Sequence, residues 1–269
     1  VKRLLLIALI TLVPAPFAIG CGGSSAEVET TPAELPPADP RAVRAFRAGN
    51  RLMSRGGSRS EQRALRRFRE AVEIDPYLWE AYYNMGVLHR RRGEMREAIE
   101  ALGNARRIQP GAREPLLALA EVRYAMGEKD EAISLLDAFV DVDPDAVEIR
   151  VAYATMLREA GRYDDALEQA REALIRDSSN VKALIEIGRV YRANEQYDVS
   201  ELVFRKALDL SDEGSPARAE IHNDLGLVSL ARGDTQAAFL QFDQAVQIDS
   251  HNKSAHMNQG SVLLQAGDW

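Results

Sequence analysis

The 269-residue chain contains one cysteine, four histidines and 6% aromatic residues. One thiol builds neither an internal disulfide framework nor a cysteine-rich zinc site. His89, His222, His251 and His256 stand apart, none at metal-ligand spacing from another, so no metal is expected. Few aromatics leave no base-stacking platform. A phosphate loop of the G-x-x-x-x-G-K-[ST] kind, an H-E-x-x-H helix and a G-x-S-x-G elbow are all missing. The paired acids Asp164-Asp165 and Asp212-Glu213 read as helix-capping or solvated groups. A net charge of −7 speaks against a general nucleic-acid binder, which needs a basic domain. These absences predict no catalytic residue, no cofactor, no small-molecule substrate and no nucleic-acid partner. What is present is a globular balance, 46% hydrophobic and 28% charged, sufficient to bury a core. Length alone, at ~150 residues per domain, would predict two domains.

Residues Leu4 to Gly20 carry no charge over 17 positions. That falls short of the ~20 apolar residues of a membrane-spanning helix. Lys2 and Arg3 precede the run, Pro14 and Pro16 interrupt any helix within it, and small residues close it. This is the pattern of a secretory signal, over residues 1–20. The only cysteine stands directly after it. Ala18-Ile19-Gly20-Cys21 resembles the lipobox of bacterial lipoproteins, with Ala18 where leucine is commoner. The resemblance implies a diacylglyceryl group on the Cys21 thiol, cleavage after Gly20 and acylation of the new amine. By the enterobacterial rule, Gly22 in place of aspartate implies sorting to the outer membrane, with the chain facing the periplasm. Several acyl chains, at about 0.8 kcal/mol per buried methylene, make such an anchor effectively permanent. Residues 22–40 hold four prolines, four acids and no basic residue, a composition that stays extended. At ~3.1 Å per residue this tether reaches about 60 Å at most.

From residue 41 the chain repeats with a period of 34. Pro76, Pro110 and Pro144 keep that spacing, as do Ala64, Ala98, Ala132 and Ala166, and Gly93, Gly127 and Gly161. Each unit has two apolar helical stretches, with a glycine between them and a proline at the end. With Trp79 as position 1 of the second unit, position 8 is Gly49, Gly86, Ala120, Ala154, Gly188, Gly226 and Gly260 in successive units. Position 24 is Phe68, Leu102, Leu136, Ala170, Phe204 and Phe242. This pattern resembles the tetratricopeptide repeat over residues 41–269. The resemblance implies an all-α fold, a right-handed α-solenoid of about six helix pairs plus a C-terminal capping or truncated helix. Departures are specific. About three extra residues around Gly56-Gly57-Ser58 predict a longer turn in the first pair. About four more, from Asp212 to Ala219, separate the fifth and sixth units. Glu195 takes the place of the turn glycine, and the closing proline is lost at Ser178, Asp212 and Ser250.

In that family the first helix of each pair lines a concave surface. The matching positions here include Tyr83, Asn84, Val87, Arg90, Arg91, Leu117, Glu121, Tyr124, Val151, Arg158, Ile185, Arg189, Arg192 and Leu227. Apolar side chains mixed with both charges suit an extended peptide or a partner helix. Asn50, Asn84 and Arg91 match only fragments of the family's carboxylate clamp, so chaperone binding is not implied.

Charge is uneven along the chain. Residues 41–110 hold 16 arginines and 8 acids, a net of +8, and residues 111–269 hold 16 basic and 29 acidic residues, a net of −13. Arg44, Arg47, Arg51 and Arg55 fall on one helical face. Two readings stand open for this stripe, contact with an anionic envelope surface and a solvated outer face.

Taken together, the anchor, tether and repeats predict a membrane-anchored periplasmic scaffold that binds envelope proteins. Its architecture is similar to that of pilotins, the six-repeat lipoproteins that help the outer-membrane secretin of type IV pili assemble. Adaptors for peptidoglycan enzymes and components of gliding-motility or polysaccharide-export machines share the same features.

Overall fold

The computed structural model describes residues 35–266. The chain divides into two units, Val1–Pro36 and Pro37–Trp269. The expected signal peptide, the lipobox, Cys21 and the tether up to Glu34 lie outside the described residues. In the second unit the described residues form thirteen helices and no strand. These are α1 (Pro40–Arg55), α2 (Ser58–Ile74), α3 (Trp79–Arg91), α4 (Met95–Ile108), α5 (Arg113–Ala125), α6 (Lys129–Val142), α7 (Val147–Glu159), α8 (Tyr163–Arg176), α9 (Val181–Ala193), α10 (Tyr197–Leu210), α11 (Pro216–Ala231), α12 (Thr235–Ile248) and α13 (Lys253–Ala266). Each odd-numbered helix up to α11 pairs with the even-numbered helix after it, and each pair packs on the next. Among the described residues the buried apolar side chains run from Ala42 to Val262.

Local chemistry sets the helix ends. Asp39 caps α1 by accepting from the Arg41 backbone N–H at 2.7 Å, and Pro40 takes the first position, where its missing N–H costs nothing. Hydrogen bonds from the Arg41 side chain hold the Asp39 carboxyl down at about 2. Inside each later pair the first helix ends in the same way. The Gly93 N–H bonds to the Arg90 carbonyl at 3.0 Å, and the Glu94 N–H reaches back to the His89 carbonyl at 2.9 Å. That reverse turn needs a residue at positive φ, supplied by Gly93, Gly127, Gly161 and Gly233 at 76° to 87°. In the fifth unit Glu195 takes the turn at φ 60°, the only non-glycine at positive φ among the described residues. A left-handed side chain costs ~1–2 kcal/mol, and glycine adds back ~0.4–1 kcal/mol of unfolded-state freedom. Glu195→Gly is therefore expected to stabilise the protein by about 0.5–1 kcal/mol. A denaturant midpoint that stays put or falls would refute this.

The second helices end on an aspartate in several units, whose side chain makes the turn. Asp75 accepts from the Tyr77 N–H at 3.0 Å, Asp177 from Ser179 at 3.1 Å and Asp249 from His251 at 3.0 Å. That bond explains why Ser178 and Ser250 replace proline without loss of the turn. The longer turn expected in the first pair is not there. Only Gly56 and Gly57 separate α1 from α2, and the extra residues lengthen the two helices to 16 and 17 residues. Both glycines sit at positive φ, which lets α2 start a turn earlier. The Asp212–Ala219 insertion is likewise absorbed, mostly into a 16-residue α11 that starts at Pro216 behind the Ser215 cap.

Within a pair, position 8 of the first helix meets position 24 of the second. A methyl group built on Gly49 would lie 2.5 Å from Phe68, on Gly188 2.6 Å from Phe204, and on Gly226 2.4 Å from Phe242. These three rings are fully buried. The bare glycine backbone is what makes room for the ring. In the third unit the same contact is Ala120 with Leu136, a larger residue facing a smaller one, and both are fully buried.

A candidate protein-binding groove

From α3 to α13 each odd-numbered helix touches the next odd-numbered one, and the even-numbered helices make no comparable contact with each other. The odd-numbered helices therefore line the inner side of the stack. Between α5 and α11 they enclose an open groove of about 920 Å³. Leu117, Val147, Val151, Ala152, Val181 and Ala217 form its apolar floor. Its rim carries Glu121, Asp145, Glu148 and Asp177 against Arg113 and Lys182. Arg113 is held by Asp143 at 3.0 Å, and Glu121 and Asp145 are held in turn by Arg90 and Arg176, so the rim carries both charges, largely paired. Among the described residues no group of three or more His, Cys, Asp or Glu is placed to hold a metal ion.

The structure sorts the groove residues read from the sequence into three sets. Leu117, Glu121 and Val151 line the groove directly. Tyr83 is half-buried, with burial raising the pKa of its hydroxyl, Arg91 is exposed, and Val87 is mostly covered. Arg90 is tied to Glu121 in an ion pair between successive units. Tyr124 donates to the Met156 carbonyl at 3.4 Å, and Lys129 lies 5.3 Å from the centre of its ring. Asn84 donates to Asn50 at 2.8 Å, so both amides are partly spent on holding the first two units together. The third set corrects the sequence reading. Ile185 is only 2% exposed and packs with Ile221 and Leu225, inside the core rather than on the groove wall. Leu227 packs towards Phe242 and Val262.

Arg158, Arg189 and Arg192 are not free groove cations either. The Arg158 Nε donates to Glu186 at 2.8 Å, and Arg189 donates to Glu186 at 3.0 Å, to Glu220 at 2.6 Å and to Asp224 at 2.8 Å. Arg192 lies 3.8 Å from the other Asp224 oxygen. Glu186 and Asp224 are buried, with 6% and 3% of their side-chain surface exposed. Burial pushes the Asp224 carboxyl above its ordinary pKa, and the Arg189 and Arg192 charges only partly pull it back. Burial also opposes the Arg189 charge, but Asp224, Glu186 and Glu220 around it outweigh that and raise its pKa. The result is an internal ion network that joins α7, α9 and α11. Glu186 and Asp224 were missed because position 6, which they occupy in their units, was read as groove only at Asn84. A signal was present. Position 6 is alanine in the third and fourth units, at Ala118 and Ala152, and a charge there calls for a partner.

A sequence profile of the tetratricopeptide repeat matches residues 46–113, 117–181 and 185–253. The chain belongs to the tetratricopeptide-repeat family. A search of curated protein sequences returned no match. Among solved structures, a chain of the APC/C hetero-tetramer Cut9-Hcn1 is 18% identical, with a TM-score of 0.63 over 83% of this chain and 43% of its own. This chain thus spans less than half of that relative's length. PilW, a widely conserved type IV pilus biogenesis factor, is 14% identical at a TM-score of 0.65, over 82% of this chain and 99% of its own. PilF of Pseudomonas aeruginosa is 20% identical at a TM-score of 0.56, over 71% of this chain and 85% of its own. At these identities the likeness is one of fold.

Proposed function

We propose that the chain is a lipid-anchored scaffold of the bacterial envelope. In this reading Cys21 holds it to the outer membrane, and the repeat unit faces the periplasm and binds a segment of another envelope protein during assembly. The observation that carries the binding reading is the groove between α5 and α11, with its apolar floor and a rim of both charges. Such a site fits a segment with apolar anchors at short intervals and polar residues beside them, laid in as a strand or a helix. The single cysteine behind an export signal supports the anchor. Six helix pairs on such a tether, similar to pilotins, put a secretin subunit of a type IV pilus first among the partners to test.

The test is a photocrosslinker at Thr155, in the groove wall, of the membrane-anchored protein, with the captured partner read by mass spectrometry. A secretin subunit supports the reading, and deletion of the gene should then abolish secretin multimers and twitching. Capture of a wall hydrolase, with altered cell shape on deletion, would replace the pilotin reading by that of an adaptor. Leu117→Ser with Val181→Ser is expected to weaken the captured complex by at least about tenfold while helicity is kept, since a few central apolar anchors carry most of such an interface. Undiminished capture would show that the partner sits elsewhere. Labelled palmitate that enters the wild type but not Cys21→Ser supports the anchor, and no incorporation would overturn it.

A further inference from the structure

We propose that the outward face of the first helix pair, α1 and α2, docks on an anionic phospholipid surface. Arg44, Arg47, Arg51 and Arg55 are all exposed, on the side of α1 opposite the buried Ala42, Ala45 and Gly49. They span about 17 Å along the helix at 1.5 Å per residue. On α2, Arg59, Arg63, Arg66 and Arg69 are exposed as well. None of these eight guanidinium groups makes an ion pair or a side-chain hydrogen bond with a described residue. The contrast lies within the same chain. Of the arginines in residues 111–269, nine are in ion pairs. The other three, Arg150, Arg171 and Arg218, donate hydrogen bonds to Pro144 and Gln169, to Tyr191, and to Leu208. The fold therefore spends its distal arginines on internal partners, while in the first pair only Arg41, on Asp39, and Arg67, on Glu70, are paired and the other eight arginines have no partner among the described residues.

Eight like charges on two packed helices repel one another, and an external anion relieves that repulsion. A guanidinium presents paired donors that match two phosphate oxygens, which favours a phosphate-bearing surface over a scatter of carboxylates. Lipid is favoured over other polyanions by chain order, because this is the helix pair that follows the residues read as a tether. That step rests on the anchor reading above. Docking by this pair would also orient the repeat unit. The distal part carries the acidic excess, so an anionic surface repels it and leaves the groove facing away.

The experiment uses residues 22–269, which keep the tether and its four acids as the competing occupant and lack any acyl chain. Binding to vesicles rich in phosphatidylglycerol, absent with pure phosphatidylcholine and lost at high salt, is the expected result. Each basic residue near a charged leaflet contributes roughly fivefold to partitioning, so Arg44→Glu, Arg47→Glu and Arg51→Glu together should lower it by at least about a hundredfold. Arg96→Glu with Arg107→Glu, a reversal outside the pair, should change it by much less. Circular dichroism confirms that each variant folds. Failure to bind, equal binding by the triple variant, or equally tight binding to duplex DNA would overturn the proposal. So would salt-sensitive self-association in place of vesicle binding, which would assign the face to a second copy. Palmitate labelling of Cys21 reads the anchor separately, so failure of one reading is not mistaken for failure of the other.

Discussion

Truncating Phe204 to alanine is expected to destabilise the protein by about 3–5 kcal/mol, and adding Gly188→Ala to that variant to recover part of the loss. Phe204 is fully buried between α9 and α10, against Leu184, Ile185 and Ile221. Its removal leaves a ring-sized cavity in a core that only neighbouring helix pairs can close. Gly188→Ala in the wild-type background acts in the opposite sense. It gains about 1 kcal/mol of helix propensity, but its methyl group arrives 2.6 Å from the ring, where overpacking costs ~1–3 kcal/mol. Once the ring is gone the clash disappears and the methyl fills part of the cavity. The double-mutant cycle should therefore show a favourable coupling of about 1–2 kcal/mol. Gly188→Ala with Phe204→Leu goes further, because it recreates the Ala120 and Leu136 contact that the third unit uses. Urea titration, with hydrogen exchange of α9 and α10 to catch local opening, measures all four corners. Additive losses would show that position 8 and position 24 do not set each other's size.

The two columns were visible in the sequence, small residues at position 8 and mostly large ones at position 24, but not that they face each other. Periodicity gave the helix pairs, and Glu195 stood out as a break in the glycine column before its φ of 60° was known. The insertions were legible as extra residues but not as longer helices. The count does not say whether a residue extends a loop or a helix, and Gly56, Gly57 and Pro216 decide that locally. The groove was legible in outline only. Position 5 of a unit faces the groove at Leu117 and Val151, and Ile185 at the same position is covered by α11. Charges were harder still, because a single unit does not show the next unit's residues. Arg158, Arg189 and Arg192 read as open cations until Glu186 and Asp224 are brought beside them from the same and the following unit.

Asp224→Ala is expected to cost about 3 kcal/mol or somewhat more, the range found when one partner of a buried ion pair is removed. Arg189 would keep Glu186 and Glu220, at 3.0 and 2.6 Å, which limits the damage. It would lose one of its two buried partners, and Arg192 would lose its only carboxylate within 4 Å among the described residues. Its Nε is already without a hydrogen-bond partner, so this part of the network has no reserve. The loss measures an orphaned charge rather than the worth of the pair. For that reason Arg189→Met combined with Asp224→Leu should lie within about 1–2 kcal/mol of wild type, since apolar side chains of similar size often replace a buried pair at little cost. The two results together separate two roles for the network. A costly single variant with a near-neutral double variant means that the ions fix the register between α9 and α11 without holding the fold up. In that case hydrogen exchange at the α9–α11 contact should rise in the double variant although its global stability is kept. A double variant as unstable as the single one would mean that the charges themselves carry the stability of this end of the stack.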